Sequence, residues 1–479
     1  MKNDYLEQLR QGKALTLPQQ LILTAQLSLP AILAQISSIV MQYIDASMVG
    51  RLGADESASI GLVSSSTWLM GGLCSAASIG FTVQIAQLIG AQRQKEARGV
   101  VRQGIVAVLA FATCLLLIGA CISAFLPAWL GGEAAICKDS FKYFLVFSLS
   151  LQFVQLNNTA GGMLQCSGNM KIPSILHVVM CGLDVIFNLV LIFPSRTVYI
   201  GSLSFWMPGA GLGVCGAALG TALAEVCVVC LMLYFLLVRS DMLHLRRGEH
   251  LHFSAYTLKK ALKIAIPVGF EQVVMCGAQI AQTRIVAPLG TVAIAANSFS
   301  VTAESLCYMP GYGIGTAATT LIGQSIGAGR KDMTKRLGWL TTGLGMVVMA
   351  VTGTLMYIAA PWMIGMLSPE PAIRALGTRI LRIEAFAEPM FGASIVASGV
   401  FRGAGDTLVP SCLNFFSMWA IRIPASAILA PRFGLPGVWL AMCVELCVRG
   451  ILFLIRLAGS RWLKTVQTPG NVKNKVLNH

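Results

Sequence analysis

QLIGAQR at residues 87–93 and QSIGAGR at residues 324–330 are one phrase written twice, 237 positions apart. Working outward from the pair, the same offset aligns Pro30 with Pro267, Gln35 with Gln272, Val49 with Val286 and Leu52-Gly53 with Leu289-Gly290. Towards the C-terminus it aligns Gly168 with Gly405 and Pro173-Ser174 with Pro410-Ser411. A register held over that length marks an internal repeat. Beyond it the offset shortens, because Gly216 of GVCGAA matches Gly437 of GLPGVW, so the first copy has the longer fifth joint.

Each copy is built from apolar runs. Of 479 residues, 56% are hydrophobic and only 11% charged, with a mean hydropathy of +0.73. That is far from the composition of an ordinary soluble domain. About twelve runs, each long enough to cross a hydrocarbon core of roughly 30 Å as helix, follow one another with short polar joints. They are too long and uniform for the alternating strands of a membrane barrel. The first follows a polar, amphipathic leader, MKNDYLEQLRQGKALTLPQQ, and reads as an uncleaved span. The expected class is an all-α integral membrane protein with about twelve transmembrane helices in two six-helix lobes around a central cleft. Six is an even number of crossings, so both copies enter and leave on one face and are related by an axis along the membrane normal. The expected divisions are an N-terminal lobe at 1–238, a linker at 239–257, and a C-terminal lobe with a basic tail at 258–479.

The formal charge of +15 is not a nucleic-acid signal, because the basic residues concentrate in alternate joints. Arg93, Lys95, Arg98 and Arg102, the segment 239–263, and Arg330, Lys331, Lys335 and Arg336 all fall on one side. The opposite joints carry fewer, Arg51, Lys138, Lys142, Arg196, Arg374, Arg379 and Arg432, an asymmetry that places both termini in the cytoplasm; the expected location is the cell inner membrane. The cysteines lie almost entirely inside apolar runs and read as small packing residues, including the CxxC-spaced Cys227 and Cys230.

Against this background a carboxylate within a span needs a use or a partner, since it costs about 2.5–3.5 kcal/mol on insertion scales. Asp45, in MQYIDASMVG at 41–50, is the leading case. Its repeat counterpart is Gln282, so the acid serves one lobe and is not demanded by the fold. Such a group can take up and release a proton, or with other oxygens hold Na⁺. Glu445 and Arg449 lie four apart on one helix and neutralise each other. Glu304, Glu384 and Glu388 are expected to line the cleft, with Glu388 just before a kink at Pro389.

The chain resembles the multidrug and toxic compound extrusion (MATE) family over nearly its whole length. The resemblance rests on YIDASMVGRLGA ending the first span, LIGAQRQKEA and QSIGAGRKDM after the second and eighth, VFRGAGDTLVPS before the eleventh and GVCGAALGTA opening the sixth. Two places depart from the family pattern. QCSGN at 165–169 replaces an RGxGD-like motif, and the fifth span carries Asp184 then Asn188 where the family tends to have Asn first.

The resemblance implies that the first, fifth and sixth spans meet in the N-terminal lobe. Asp45, Asp184, Asn188 and Thr221 are then the expected cation-coupling set, with Na⁺ at Asp45 and Asp184 as one option and H⁺ as the other. Asp184 and Asn188, four apart, share a helix face. Glu271, Gln282, Glu304 and Glu388 are the expected substrate-binding residues, Glu271 as the acid that attracts organic cations into a Met-containing pocket, or else pairs with Arg284 or Arg422. The implied activity is efflux of amphipathic, often cationic compounds by antiport through alternating access. No cofactor, nucleic acid or obligate protein partner is implied; the partners are organic cations and membrane lipid.

A flippase for a lipid-linked glycan is the alternative within the superfamily, but it needs a cationic cleft. GAGD at 403–406 matches the GxGD of intramembrane aspartyl proteases, yet Asp406 sits at a joint, its counterpart is Asn169, and a turn or capping role is expected. GLGVCG at 211–216 has dinucleotide-motif spacing without a preceding strand and is read as glycine-mediated helix packing. NNT at 157–159 lies inside a span, out of reach of glycosylation.

Overall fold

The computed structural model describes residues 5–200, 203–246, 248–249 and 253–465; the basic tail from 466 and part of the linker, 247 and 250–252, lie outside the described residues. After a short helix α1 (Tyr5–Arg10), the first repeat comprises α2 (Leu17–Gly50), α3 (Ala54–Gly90), α4 (Gln94–Ile122), α5 (Leu126–Trp129), α6 (Ala134–Cys166), α7 (Lys171–Leu191) and α8 (Gly213–Tyr234). The second comprises α9 (Ala255–Val286), α10 (Thr291–Gly327), α11 (Lys331–Leu367), α12 (Pro371–Glu384), α13 (Glu388–Ala404), α14 (Leu408–Phe416), α15 (Ile423–Phe433) and α16 (Leu435–Ala458). The 237-residue offset carries the bounds of α3 onto those of α10.

Among the described residues nine helical stretches are long and apolar enough to cross a membrane unaided. The remaining crossings are α6, α10 and the α12–α13 pair. They are less hydrophobic because they run through the interior: α6 buries Ser148, Gln155, Asn157 and Thr159, and α10 buries Ser300, Glu304, Thr320 and Gln324. With them the count reaches the twelve expected from sequence.

The second repeat is more broken than the first. Where α6 is continuous, its counterpart is interrupted at Ala385–Ala387, just before Pro389. Where α7 is continuous, α14 passes into α15 through a π turn at Ser417–Arg422, ahead of Pro424. Proline removes a backbone donor and releases the preceding turn, and π turns concentrate where helices serve function. The long fifth joint of the first repeat holds an antiparallel hairpin, β1 (Pro194–Ile200) and β2 (Leu203–Ala210), which helix-length hydropathy did not foresee.

The two repeats meet where the repeated phrase lies. α3 crosses α10 so closely that a Cβ on Gly90 would overlap the Gln324 carbonyl, and one on Gly327 would overlap the Gln87 carbonyl. Only glycine lets two helix backbones approach like this. The two glutamines of the phrase then bond reciprocally across the seam. Gln87 Nε2 donates to the Gly403 carbonyl at 3.2 Å and Gln324 Nε2 to the Cys166 carbonyl at 2.8 Å. Each glutamine oxygen receives a cation's N–H, from Lys260 Nζ at 2.9 Å and Arg10 Nε at 3.0 Å respectively. α1 lies over this end, with Leu6 and Leu9 buried and Arg10 Nη2 donating to the Ser167 carbonyl at 2.8 Å.

The linker is tied to the same end. Glu249 accepts from Arg98 Nε at 3.1 Å and Nη2 at 2.8 Å, and also pairs with Arg102. Ser254 caps α9 by accepting from the Thr257 N–H.

Two predictions come from these contacts. Gly90→Leu or Gly327→Leu forces α3 and α10 apart at a cost of about 1–3 kcal/mol. Maleimide labelling of the buried Cys166 beside the seam, in a background without the other cysteines, then rises several-fold; wild-type labelling in both variants would show that the close crossing does not seal this end. The Arg98 hydrogen bonds hold the Glu249 carboxyl down at about 2, from an ordinary 4.5. A depressed carboxyl stabilises the fold above its unfolded value and stops doing so as pH falls through its folded value. The melting-temperature deficit of Glu249→Gln is therefore largest above pH 4.5 and vanishes towards pH 2.

Candidate functional site

Asp45 lies in the last third of α2, half-buried, where α2 packs on α7. From α7 the fully buried Asp184 and Asn188 face it, one helical turn apart. Asn188 Nδ2 donates to Asp45 Oδ1 at 2.9 Å and to Asp184 Oδ2 at 3.0 Å, so one amide bridges two carboxylates from two helices. Asp184 Oδ1 and Asn188 Oδ1 are buried without a hydrogen-bond partner. The set contains no basic side chain. Two acids, one fully buried and one half-buried, sharing one neutral donor call for a proton or a monovalent cation for charge balance, and the unpaired oxygens are where it would bind.

Three of the four residues expected for coupling are thus brought together. Thr221 is not joined to them: its hydroxyl donates to the Ala217 carbonyl of its own helix at 3.2 Å. What α8 contributes at that level is Gly220, where a Cβ would collide with the Asn188 side chain. One turn earlier Gly216 lies against the Leu191 backbone. The glycine spacing of GVCGAALGTA therefore packs α8 onto α7, and the hydroxyl that looked like a ligand caps a carbonyl. Next to Asp45, Tyr43 OH donates to the Thr302 carbonyl of α10 at 2.7 Å, tying the site's helix to the other repeat. A cavity of ≈ 290 Å³ opens beside it, lined on one side by Tyr43, Ile44, Ser47 and Met48 and closed by Arg51 and Arg196.

The residues expected to bind substrate do not share one site: Glu271 and Gln282 lie apart from each other, while Glu304 and Glu388 neighbour each other inside the second repeat. Glu271, on α9, is buried and accepts from Ser411 Oγ at 3.0 Å and Asn414 Nδ2 at 2.8 Å, with Arg402 Nη2 at 3.7 Å. Its base is Arg402, not Arg284 or Arg422, since α13 rather than either of their helices brings a guanidinium to it. Gln282 lies far along α9 from Glu271, its amide facing Met442 Sδ at 4.0 Å. Glu304, Glu384 and Glu388 are buried close to one another inside the second repeat. Both oxygens of Glu384 and of Glu388, flanking the α12–α13 break, lack hydrogen-bond partners.

Arg422 is engaged with Glu445, at 2.9 Å, as is Arg449, at 2.9 Å. Asp406, in the joint between α13 and α14, pairs with Arg456 of α16 and does not cap α14, which corrects the capping reading. These pairs explain the departures in QCSGN. Arg402 and Glu271 correspond to Gln165 and Ala34, and Asp406 and Arg456 correspond to Asn169 and Phe235, so in the first repeat both members of each pair are missing together. Asn169 instead caps α7, its Oδ1 accepting from the Ile172 N–H at 3.2 Å.

Sequence reasoning passed over Glu225, half-buried on α8, which accepts from Asn157 Nδ2 at 2.8 Å. The signal was present as a single acid in GTALAEVCVV, and Asn157 was noticed only as part of NNT.

The sequence profile of the MatE family matches this chain twice, over residues 30–190 and 267–428, the two copies of the repeat. A probable multidrug resistance protein NorM of Thermotoga maritima is 24% identical over 447 residues, covering 92% of each chain. An uncharacterized transporter, YisQ, of Bacillus subtilis is 27% identical over 429 residues, 88% of this chain and 90% of its own. Among solved structures, an outward-facing conformation of a multidrug resistance MATE family transporter superposes with a TM-score of 0.87 at 19% identity, over 98% of this chain and 100% of that one. A MOP superfamily transporter from Pyrococcus furiosus superposes with a TM-score of 0.86 at 18% identity, with the same coverage. With the twelve-helix fold, the doubled profile and the full-length relatives in agreement, this chain belongs to the MATE family of multi-pass membrane transporters and is a transporter, not an enzyme.

Proposed function

We propose that this protein exports amphipathic organic cations across the bacterial inner membrane by antiport against H⁺ or Na⁺, with both termini in the cytoplasm. The observation that carries the reading is the amide-bridged pair of carboxylates, Asp45 and Asp184, on two helices of one lobe, with unpaired oxygens and no base. The names of the NorM relatives support drugs as cargo.

In this orientation the seam at Gly90 and Gly327 is the cytoplasmic end, and the structure is closed on that side. Protonation or cation binding removes the repulsion between Asp45 and Asp184 and lets α2 and α7 close on each other. A ligand drives a conformational switch only through different affinities for the two states. Asp45 is suited to that role because its helix also contacts α10 of the other repeat, through Tyr43. Glu271, within hydrogen-bond reach of Ser411 and Asn414, offers the second lobe's negative charge to a cationic substrate, in exchange for its contact with Arg402.

Proteoliposomes loaded with tetraphenylphosphonium, under a pH gradient and a Na⁺ gradient imposed separately, test the reading. Asp45→Asn is expected to lower gradient-driven transport on the order of tenfold or more, and Glu271→Gln chiefly to raise KM for the cation. Wild-type rates for Asp45→Asn under both gradients would overturn the coupling site, and transfer of lipid-linked sugar without cation transport would favour a flippase.

A further inference from the structure

The coupling site lies deep in its lobe. At about 1.5 Å per residue, Asp184 is about 20 Å along α7 from its start at Lys171, and that start lies at the sealed end. A proton released there into a closed bundle needs a route out. In the first lobe a line of polar groups runs on from the coupling set towards that end.

On α7, His177, Cys181, Asp184 and Asn188 follow one another at helical spacing on one face. Opposite them on α8, Glu225 lies one turn beyond Thr221 towards the sealed end. Its depth is fixed from α6: the Asn157 amide that donates to Glu225 Oε2 at 2.8 Å also lies 3.7 Å from Met180 Sδ, one turn below Asp184 on α7. Glu225 therefore stands between Asp184 and His177. Along the line, Asp184 Oδ1, Asn157 Oδ1 and His177 Nδ1 are all buried without a hydrogen-bond partner, and the Asp184 and Asn157 side chains are themselves 0% and 3% exposed. Buried orphans of this kind call for a bound water, an ion or a proton-transfer role.

The other lobe shows what a structural acid looks like at this level. Glu225 corresponds to Leu446, whose neighbour Glu445 is clamped by Arg422 and Arg449. Glu225 has, among the described residues, only the neutral Asn157 amide. Of the titratable groups, Asp184 is the one that acts on it directly, His177 and Cys181 share the same face of α7, and Asp45 on α2 and Tyr143 on α6 lie around Asp184; no lysine or arginine is in ion-pair contact with Glu225 among the described residues.

We propose that Glu225, positioned by Asn157, relays protons between the Asp45–Asp184 site and His177 inside the first lobe, separately from the substrate cleft. This rests on the coupling reading above and deepens it, because a carboxylate relay makes H⁺ the coupling ion. The carboxyl O–H of Asp184 gives its proton, through intervening water, to the free Oε1 of Glu225, leaving a carboxylate behind. Glu225 passes it to His177 Nδ1, and the imidazolium releases it to water at the cytoplasmic end, about 9 Å away along α7. No other bond changes.

The test uses the full chain in proteoliposomes, with tetraphenylphosphonium transport driven by a pH gradient and internal pH followed by a trapped dye. Glu225→Gln is expected to lower kcat by about tenfold or more with KM within about threefold, and to displace the pH–rate profile; Glu225→Asp recovers most of the rate. Asn157→Leu, which leaves the carboxylate unpositioned, gives the same kcat loss and stands in if Glu225→Gln fails to purify as a monodisperse protein. A wild-type kcat and pH profile in Glu225→Gln, with Asp45→Asn inactive, overturns the relay and leaves the coupling site standing. Wild-type transport by Asp45→Asn overturns the coupling reading itself. Equal losses in Glu225→Gln and Glu225→Asp with an unmoved pH profile indicate a structural acid and overturn the relay, as does transport driven by Na⁺ without proton movement.

Discussion

Two glycines without side chains hold this molecule in its present shape. At Gly90 and Gly327 the helices α3 and α10 cross with backbone against backbone, and the paired glutamines turn that proximity into reciprocal bonds across the seam. Because the contact is built from the same phrase in both repeats, it lies on the pseudo-twofold axis. The remaining helices of each lobe are arranged around it, α2 against α10 on one side and α9 against α3 on the other. Lys260 and Arg10 supply charged donors to the glutamine oxygens, so the closure is charge-assisted. On the proposed alternating access, the seam opens in each cycle. A few hydrogen bonds over a glycine crossing, each contributing about 1 kcal/mol net, form a closure that a bound ion or substrate can reverse.

Symmetry in the backbone contrasts with asymmetry in the buried charges. The second lobe neutralises Glu271, Asp406 and Glu445 with Arg402, Arg456 and a pair of arginines, and each pair persists because removing one member strands the other. The first lobe has lost the counterparts of two of those pairs. Its own acids, Asp45, Asp184 and Glu225, are held by the amides of Asn188 and Asn157. Amides orient a carboxylate without neutralising it. Glu304, Glu384 and Glu388, without an ion pair among the described residues, are the exceptions in the second lobe, and the last two lie where the helix is already interrupted.

Legibility from sequence tracked the range of the forces involved. Crossing helices, the repeat offset, the shared face of Asp184 and Asn188, and the Glu445–Arg449 pair all follow from spacing along one chain, and all appear in the structure. Thr221 and Gln282 were singled out by alignment alone; the first turns back onto its own helix and the second faces a methionine. The hairpin in the fifth joint escaped because a hydropathy window of helix length averages over short strands. Glu225 escaped because an acid in an apolar run carries no periodic signature.

By itself, then, the sequence determined the number of crossings, the doubled architecture and the acids that bilayer energetics single out, since apolar length, repeat register and helical spacing are properties of a linear chain. Only the tertiary structure decided which partner each acid has. Arg402 reaches Glu271, Arg456 reaches Asp406 and Asn157 reaches Glu225 from helices remote in the chain, and whether a buried carboxylate is clamped or free depends on those few ångströms between side chains.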